Sequence, residues 1–239
     1  MHGRRPRRTS KAHGELALKP GRGGFRPGAG RKPRDPRRPS QPHAQRPYLS
    51  VRTPVHVTIR VARDVSSLRT RAMYRAIRWA TLTTARRENF RIIHLSIQRT
   101  HVHLVVEAGD RMALARGMQG FQVSAARHLN RARDGRGTVF PDRYHAHQLR
   151  TPTEVRHAVS YVLNNWRRHR EDLRVPSKLD PYSSAIMFPE WRELERSPFL
   201  YRPPPRYEPL IVWLPRTFLL RSAFRRAPRP SFRAVPAAS

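Results

Sequence analysis

The chain has 239 residues, enough for one domain with tails, and carries 49 Lys and Arg against 16 Asp and Glu, a formal charge of +33. Such an excess repels itself in a compact fold unless a polyanion lies close by, and the polyanion it implies is nucleic acid, whose counterions Lys and Arg release on binding. There is no cysteine, which excludes disulfides and thiolate zinc sites, and the basic start MHGRRPRRTSKAHGEL lacks the apolar core of a signal peptide. No window approaches the roughly 20 apolar residues of a membrane helix. A cytoplasmic, nucleoid-associated protein with no membrane contact is expected.

Residues 1–50 read as a disordered basic arm: they hold seven of the twelve glycines and almost no large apolar side chains. Within the arm, GRGGFRPGAGRKPR (21–34) resembles an AT-hook, whose narrow backbone lets cations enter an A·T-rich minor groove. Arg22, Arg26, Arg31 and Lys32 are its candidate DNA contacts, and a generic basic tail is the plainer alternative.

From residue 53 the periodicity is that of a folded domain. Val55, Val57, Ile59 and Val61 alternate with His56, Thr58 and Arg60, which predicts a half-buried strand. Leu68, Ala72, Met73, Ala76, Ile77 and Ala80 then fall at helical spacing. Phe90–Gln98 and His101–Glu107 read as two strands joined by Arg99 and Thr100, an antiparallel hairpin. Leu114, Met118, Phe121, Ala125 and Leu129 stripe a second helix, Asp134–Gly137 is a loop, and Tyr144–Leu149 is a fourth strand. Thr151, Pro152 and Glu154 are the N-cap, first-turn and capping-box residues of a third helix. The order βαββαβ plus a helix predicts an α+β, ferredoxin-like antiparallel sheet with two helices on one face. Residues 191–239 read as an irregular basic extension, broken by prolines. Trp191, Trp213, Phe218 and Leu219 suggest docked pieces, and the end from about Ala227 reads as disordered.

His101 and His103 stand two apart on a strand, so both imidazoles project from one face, opposite Val102, Leu104 and Val106. Neutral imidazoles are common metal ligands, although a polar sheet face accounts for the same pattern. On the third helix Val155, Val159, Val162 and Trp166 make the buried stripe, with Tyr161 and Asn165 one turn apart on its flank. His145 and His147 repeat the spacing on the neighbouring strand, where phosphate contact or sheet-face polarity is expected rather than metal binding.

Three blocks in order, Ser96–Val106 (SIQRTHVHLVV), Val139–His145 (VFPDRYH) and Tyr161–Asn165 (YVLNN), resemble the HUH single-tyrosine (Y1) transposases, the IS200-like and REP-associated tyrosine transposases in particular. The likeness spans residues 51–190, counting Asp180–Ala185 (DPYSSA). It implies that His101 and His103 ligate Mg²⁺ or Mn²⁺, that Asn165 completes the site, that Asn164 does not, and that Tyr161 is the nucleophile. It further implies a strand transferase that cuts and rejoins hairpin-bearing single-stranded DNA through a 5′-phosphotyrosine, acting as monomer or homodimer. Arg143 and His145 would contact DNA. Thr100 departs from the asparagine common before the first histidine, which bears on the turn and on the bonding around the site. A non-catalytic or domesticated DNA-binding protein and a replication-initiator or relaxase nickase are the alternatives.

Overall fold

The structure, a computed structural model, describes residues 47–174, 177–196, 207–223 and 228–236, all within one compact unit. The predicted arm residues Arg22, Arg26, Arg31 and Lys32 lie outside them. Strands β1 (Val55–Arg60), β2 (Phe90–Ile97), β3 (His101–Ala108) and β4 (His145–Gln148) form one sheet in the order β2-β3-β1-β4, with every neighbouring pair antiparallel. This is the ferredoxin-like order. Helices α1 (Arg71–Ala85) and α2 (Arg111–Ala132) cover one face, and α3 (Pro152–Arg168) follows β4.

The alternation in β1 and β3 sends Val55, Val57, Ile59, Val102, Leu104 and Val106 into a core with Met73, Ile77, Met118 and Phe121 of the two helices. Burying these side chains is worth roughly 1.5–3 kcal/mol each, which fixes register, since a one-residue slip would expose the whole set. A β-bulge between Ile92 and His94 lets Ile92 and Leu95, three apart, both face this core, while Ile93 turns to the other side. Gly117 sits where α2 crosses Phe90, and a Cβ there would meet the ring at 2.1 Å. The first helix starts at Arg71 behind its N-cap Thr70, so the predicted Leu68 packs from the preceding loop and Ala72 is exposed.

The second face, on which the sequence order places neither α1 nor α2, is covered as well. Ile93, Val105 and Leu149 pack beneath Val155, Val159, Val162 and Leu163 of α3. The sheet is therefore covered on both sides, and its histidines lie beneath the C-terminal half of α3. Thr151 caps α3 by accepting the Glu154 amide N–H at 3.2 Å. The Glu154 carboxylate reaches back one residue further than in a capping box, accepting the Arg150 N–H at 2.7 Å.

Beyond residue 190 the described segments dock on the domain. Trp191, Leu210, Leu220, Ala223 and Phe232 are buried, whereas Trp213 and Phe218 are exposed. The Trp213 N–H donates to Ile92 O at the free edge of β2, and the buried Glu107 carboxylate accepts the N–H groups of Arg216 and Thr217 before α4 (Phe218–Ser222). The expected disorder from Ala227 does not hold for residues 228–236: Ser231 O accepts from Asn164 Nδ2, and Phe232 O from Arg167 Nε. Among the described residues, no helix is long and apolar enough to cross a membrane.

Candidate active site

β3 lies between β2 and β1, so His101 and His103 stand on an inner strand of the sheet. Their rings are 4.7 Å apart, centroid to centroid. β1 adds His56 and Thr58 on the same face, paired across β4 with His147 and His145 respectively. Thr58 Oγ1 lies 3.1 Å and His56 Nε2 3.3 Å from His103 Nδ1. With that nitrogen protonated, the ring donates to the threonine, and the Nε2 lone pair is left for a ligand. His101 Nδ1 has Thr100 Oγ1 at 3.3 Å, so the threonine that departs from the family pattern borders the first histidine's ring.

α3 runs above this row. The Tyr161 ring meets His103 edge-on at 5.2 Å and His56 at 5.8 Å, with the Arg168 guanidinium 6.0 Å above it. Two turns on, His169 lies 5.6 Å from His101. Asn165 falls between these contacts on the same helical row and is wholly buried. Tyr161, His101, His103, His56 and His145 line a cleft of about 1080 Å³.

The structure thus brings together three of the predicted residues, His101, His103 and Tyr161, whereas Asn165, one turn on along α3, is buried and does not line the cleft. His145 and His147 reach the cleft wall, whereas Arg143 lines a separate groove of about 910 Å³ beside α2, with Arg111 and Gln119. Asn164 turns away to the C-terminal segment. Sequence reasoning passed over His56, Thr58 and His169. The first two were legible in principle, since the ferredoxin-like order places β1 beside β3 and the alternation puts them on the histidine face.

Electrostatics keeps the imidazoles neutral. Burial, helped by His169, Arg60 and Arg168, lowers His101 from the ordinary 6.5 to about 4. Burial with His145 and His147 lowers His56 to about 4, and His103 is pushed down further, chiefly by burial and then by His101 and His56. Neutral imidazole is the form that ligates a cation. Because the folded values lie below the unfolded one, protonation favours the unfolded chain. The stability these groups contribute is complete above about pH 6.5 and is lost as pH falls towards about 4. Melting temperature, followed by circular dichroism from pH 8 to pH 4, is expected to be flat above about 7 and to drop across that window. A constant value throughout would contradict the assignment.

Among the described residues, no three His, Asp or Glu side chains converge on a point that could hold an ion. His103 Nε2 and both polar atoms of Asn165 are buried without a hydrogen-bond partner. Unpartnered acceptors cost about 1–3 kcal/mol each, and a divalent cation would satisfy them. Two imidazole nitrogens and an amide oxygen are donor types that ligate divalent cations.

The site thus joins an antiparallel ferredoxin-like sheet, a histidine pair on an inner strand and a tyrosine of the crossing helix packed against it. The sequence profile of the family described as "Transposase IS200 like" matches residues 51–165. Over that stretch of 115 of the 239 residues the chain is similar to the IS200-like transposases. A solved structure of a REP-associated tyrosine transposase bound to a REP hairpin is similar to this chain, with a TM-score of 0.50, 19% identity, and coverage of 68% of this chain and 89% of that one. At this identity the likeness establishes the fold. No curated protein matches the chain.

Proposed function

We propose that this chain cuts and rejoins single-stranded DNA, with Tyr161 as the nucleophile. The observation that carries the reading is the Tyr161 ring packed edge-on against His103, in a cleft large enough for a nucleotide strand. Tyr161 Oη attacks a backbone phosphorus, an O–P bond forms to the tyrosine, the P–O3′ bond breaks, and the 3′-oxygen leaves as a hydroxyl. The 5′-phosphotyrosine conserves the ester's free energy, so a 3′-hydroxyl can reverse the reaction and reseal a strand without a nucleotide cofactor.

His101, His103 and Asn165 would hold Mg²⁺ or Mn²⁺. When bound, the ion neutralises charge on the scissile phosphate and on the departing oxygen. Thr58 keeps the His103 tautomer that presents Nε2, and Arg168, above the tyrosine ring, adds positive charge at the cleft. His145 at the cleft wall suits a flanking phosphate, while Arg143 and Arg111 in the α2 groove would hold DNA further from the reacting bond. The similar structure carries a REP hairpin, which makes a hairpin-bearing single strand the first substrate to test. The basic arm, with Arg22, Arg26, Arg31 and Lys32, would add flanking contacts, and the protein would act at the nucleoid as a monomer or homodimer.

Incubating end-labelled single-stranded oligonucleotides from the gene's own flanks with the full chain is expected to give a protein–DNA adduct that survives denaturing electrophoresis. The adduct should require Mg²⁺ or Mn²⁺ and disappear with chelator. Salt-sensitive binding without any adduct would favour a non-catalytic DNA-binding protein instead.

A further inference from the structure

Beside its buried stripe, α2 carries a second one. Met112, Ala115, Gln119, Gln122, Val123 and Ala126 fall at helical spacing on one flank and line the groove of about 910 Å³. Four of the six are apolar, and Met112 and Val123 are 50% and 45% exposed. The other wall comes from residues 137–140 with Arg143 and Tyr144, and Phe140 adds an aromatic ring to it. That wall is held in place. Gly137 turns at φ 99°, a conformation open to glycine, and its carbonyl accepts from Asn130 Nδ2 at 3.0 Å. Val139 O accepts the Ala62 N–H at 2.8 Å, which ties the wall to the end of β1.

The lining has the chemistry of a nucleobase site. Apolar side chains and a ring suit the flat faces of a base, and two carboxamides on one helix flank offer donors and acceptors to its edge. Arg111 and Arg143 supply positive charge for the backbone, and among the described residues no carboxylate lines the groove. The groove also adjoins the catalytic cleft. Tyr144 lines the groove with the helix-side core, and the next residue, His145, lines the cleft on the histidine face. β4 is an edge strand, so a DNA strand can pass round that edge from one site to the other.

We propose that this groove binds an unpaired base of the DNA strand, seated on Met112, Val123 and Phe140 and read at its edge by Gln119 and Gln122, and that it selects adenine. This rests on the single-strand DNA reading above. A carboxamide matches the Hoogsteen edge of adenine with two bonds, its oxygen accepting from N6 and its nitrogen donating to N7. Thymine presents there only an acceptor and a methyl group. Lying outside the catalytic cleft, the groove fixes which stretch of strand reaches Tyr161 without touching the reacting phosphate.

The test is fluorescence anisotropy of the full chain with labelled single-stranded oligo-dA and oligo-dT of equal length, repeated over a salt series. Wild type should bind oligo-dA about tenfold more tightly, within the discrimination of one bidentate base contact. Replacing both glutamines, Gln119→Leu with Gln122→Leu, keeps good helix formers on the outer flank of α2 and removes only the edge contacts. That variant should bring the two affinities together and leave the salt dependence unchanged, because no cation is lost. A wild type without the preference overturns the inference and leaves the DNA reading standing, as does a preference that survives in the double variant. A reduced salt dependence in the variant also overturns it, since the arginine contacts would then have moved with the helix. A wild type that binds neither probe overturns the DNA reading and this inference together.

Discussion

Replacing Tyr161 by Phe is expected to abolish the DNA adduct while leaving fold and DNA affinity in place. The ring's edge contacts with His103 and His56, and the guanidinium of Arg168 above it, are contacts of the aromatic ring, which Phe retains. The side chain is only partly buried, so the loss in stability should be within about 0.5 kcal/mol. The hydroxyl, by contrast, is the proposed attacking atom, and removing a nucleophile costs at least ~10³-fold in rate because the other parts of the site cannot substitute for it. Adduct yield per unit of bound DNA is the quantity to compare, which separates chemistry from affinity. An undiminished adduct in this variant would mean another hydroxyl attacks; Ser160, the neighbouring residue on the same cleft, would then be the one to replace.

The parts of the fold legible in the sequence are those where one local period dominates. In β1 and β3 every second residue is apolar, and in α2 Leu114, Met118, Phe121, Ala125 and Leu129 repeat at helical spacing; all of these are buried. The start of α3 was legible because Thr151 and Pro152 act within one turn of chain. The C-terminal extension was not, because its docking has no period. Leu210, Leu220 and Phe232 are buried singly between prolines and arginines, held by contacts with residues more than sixty positions away, such as Asn164 with Ser231.

The site divides in the same way. His101 and His103, two apart on one strand, announce a shared face, and Tyr161 with Asn165 announce a shared helical row. What the sequence alone could not reveal is that α3 lies over the histidine face rather than leaving it open. Helix docking depends on the apolar half of that face, where Ile93, Val105 and Leu149 meet Val159 and Val162. Ile93 reaches it through the bulge in β2, a shift in register that no alternation pattern encodes. Residue types at the site were thus readable, whereas their mutual distance was set by packing elsewhere.

The strongest such tertiary constraint is expected to show in Asp180→Ala. Asp180 is fully buried and accepts two hydrogen bonds from Arg69, at 2.8 and 3.0 Å, and one from the Tyr182 N–H. Arg69 also donates to Ile97 O at the end of β2, and its guanidinium lies 4.6 Å over the Tyr182 ring. Glu171, just after α3, approaches the same arginine at 3.9 Å and pairs with Arg99 in the β2–β3 turn. The network therefore ties the turn that carries His101 to the exit of the helix that carries Tyr161. Removing the carboxylate takes both short bonds from a guanidinium that is 6% exposed and leaves it Ile97 O and the more distant Glu171; breaking one side of a buried pair costs about 3–5 kcal/mol, and the remaining partners put this one towards the lower end. That is a large part of the 5–15 kcal/mol typical of a domain, and denaturant unfolding of the full chain would measure it. Replacing Arg69 and Asp180 together by Leu should recover much of the loss, because the cost lies in the unpaired charge rather than in the missing attraction. A loss below about 1 kcal/mol in Asp180→Ala would show that water reaches Arg69, and that the hairpin and α3 are held in register by the apolar contacts alone.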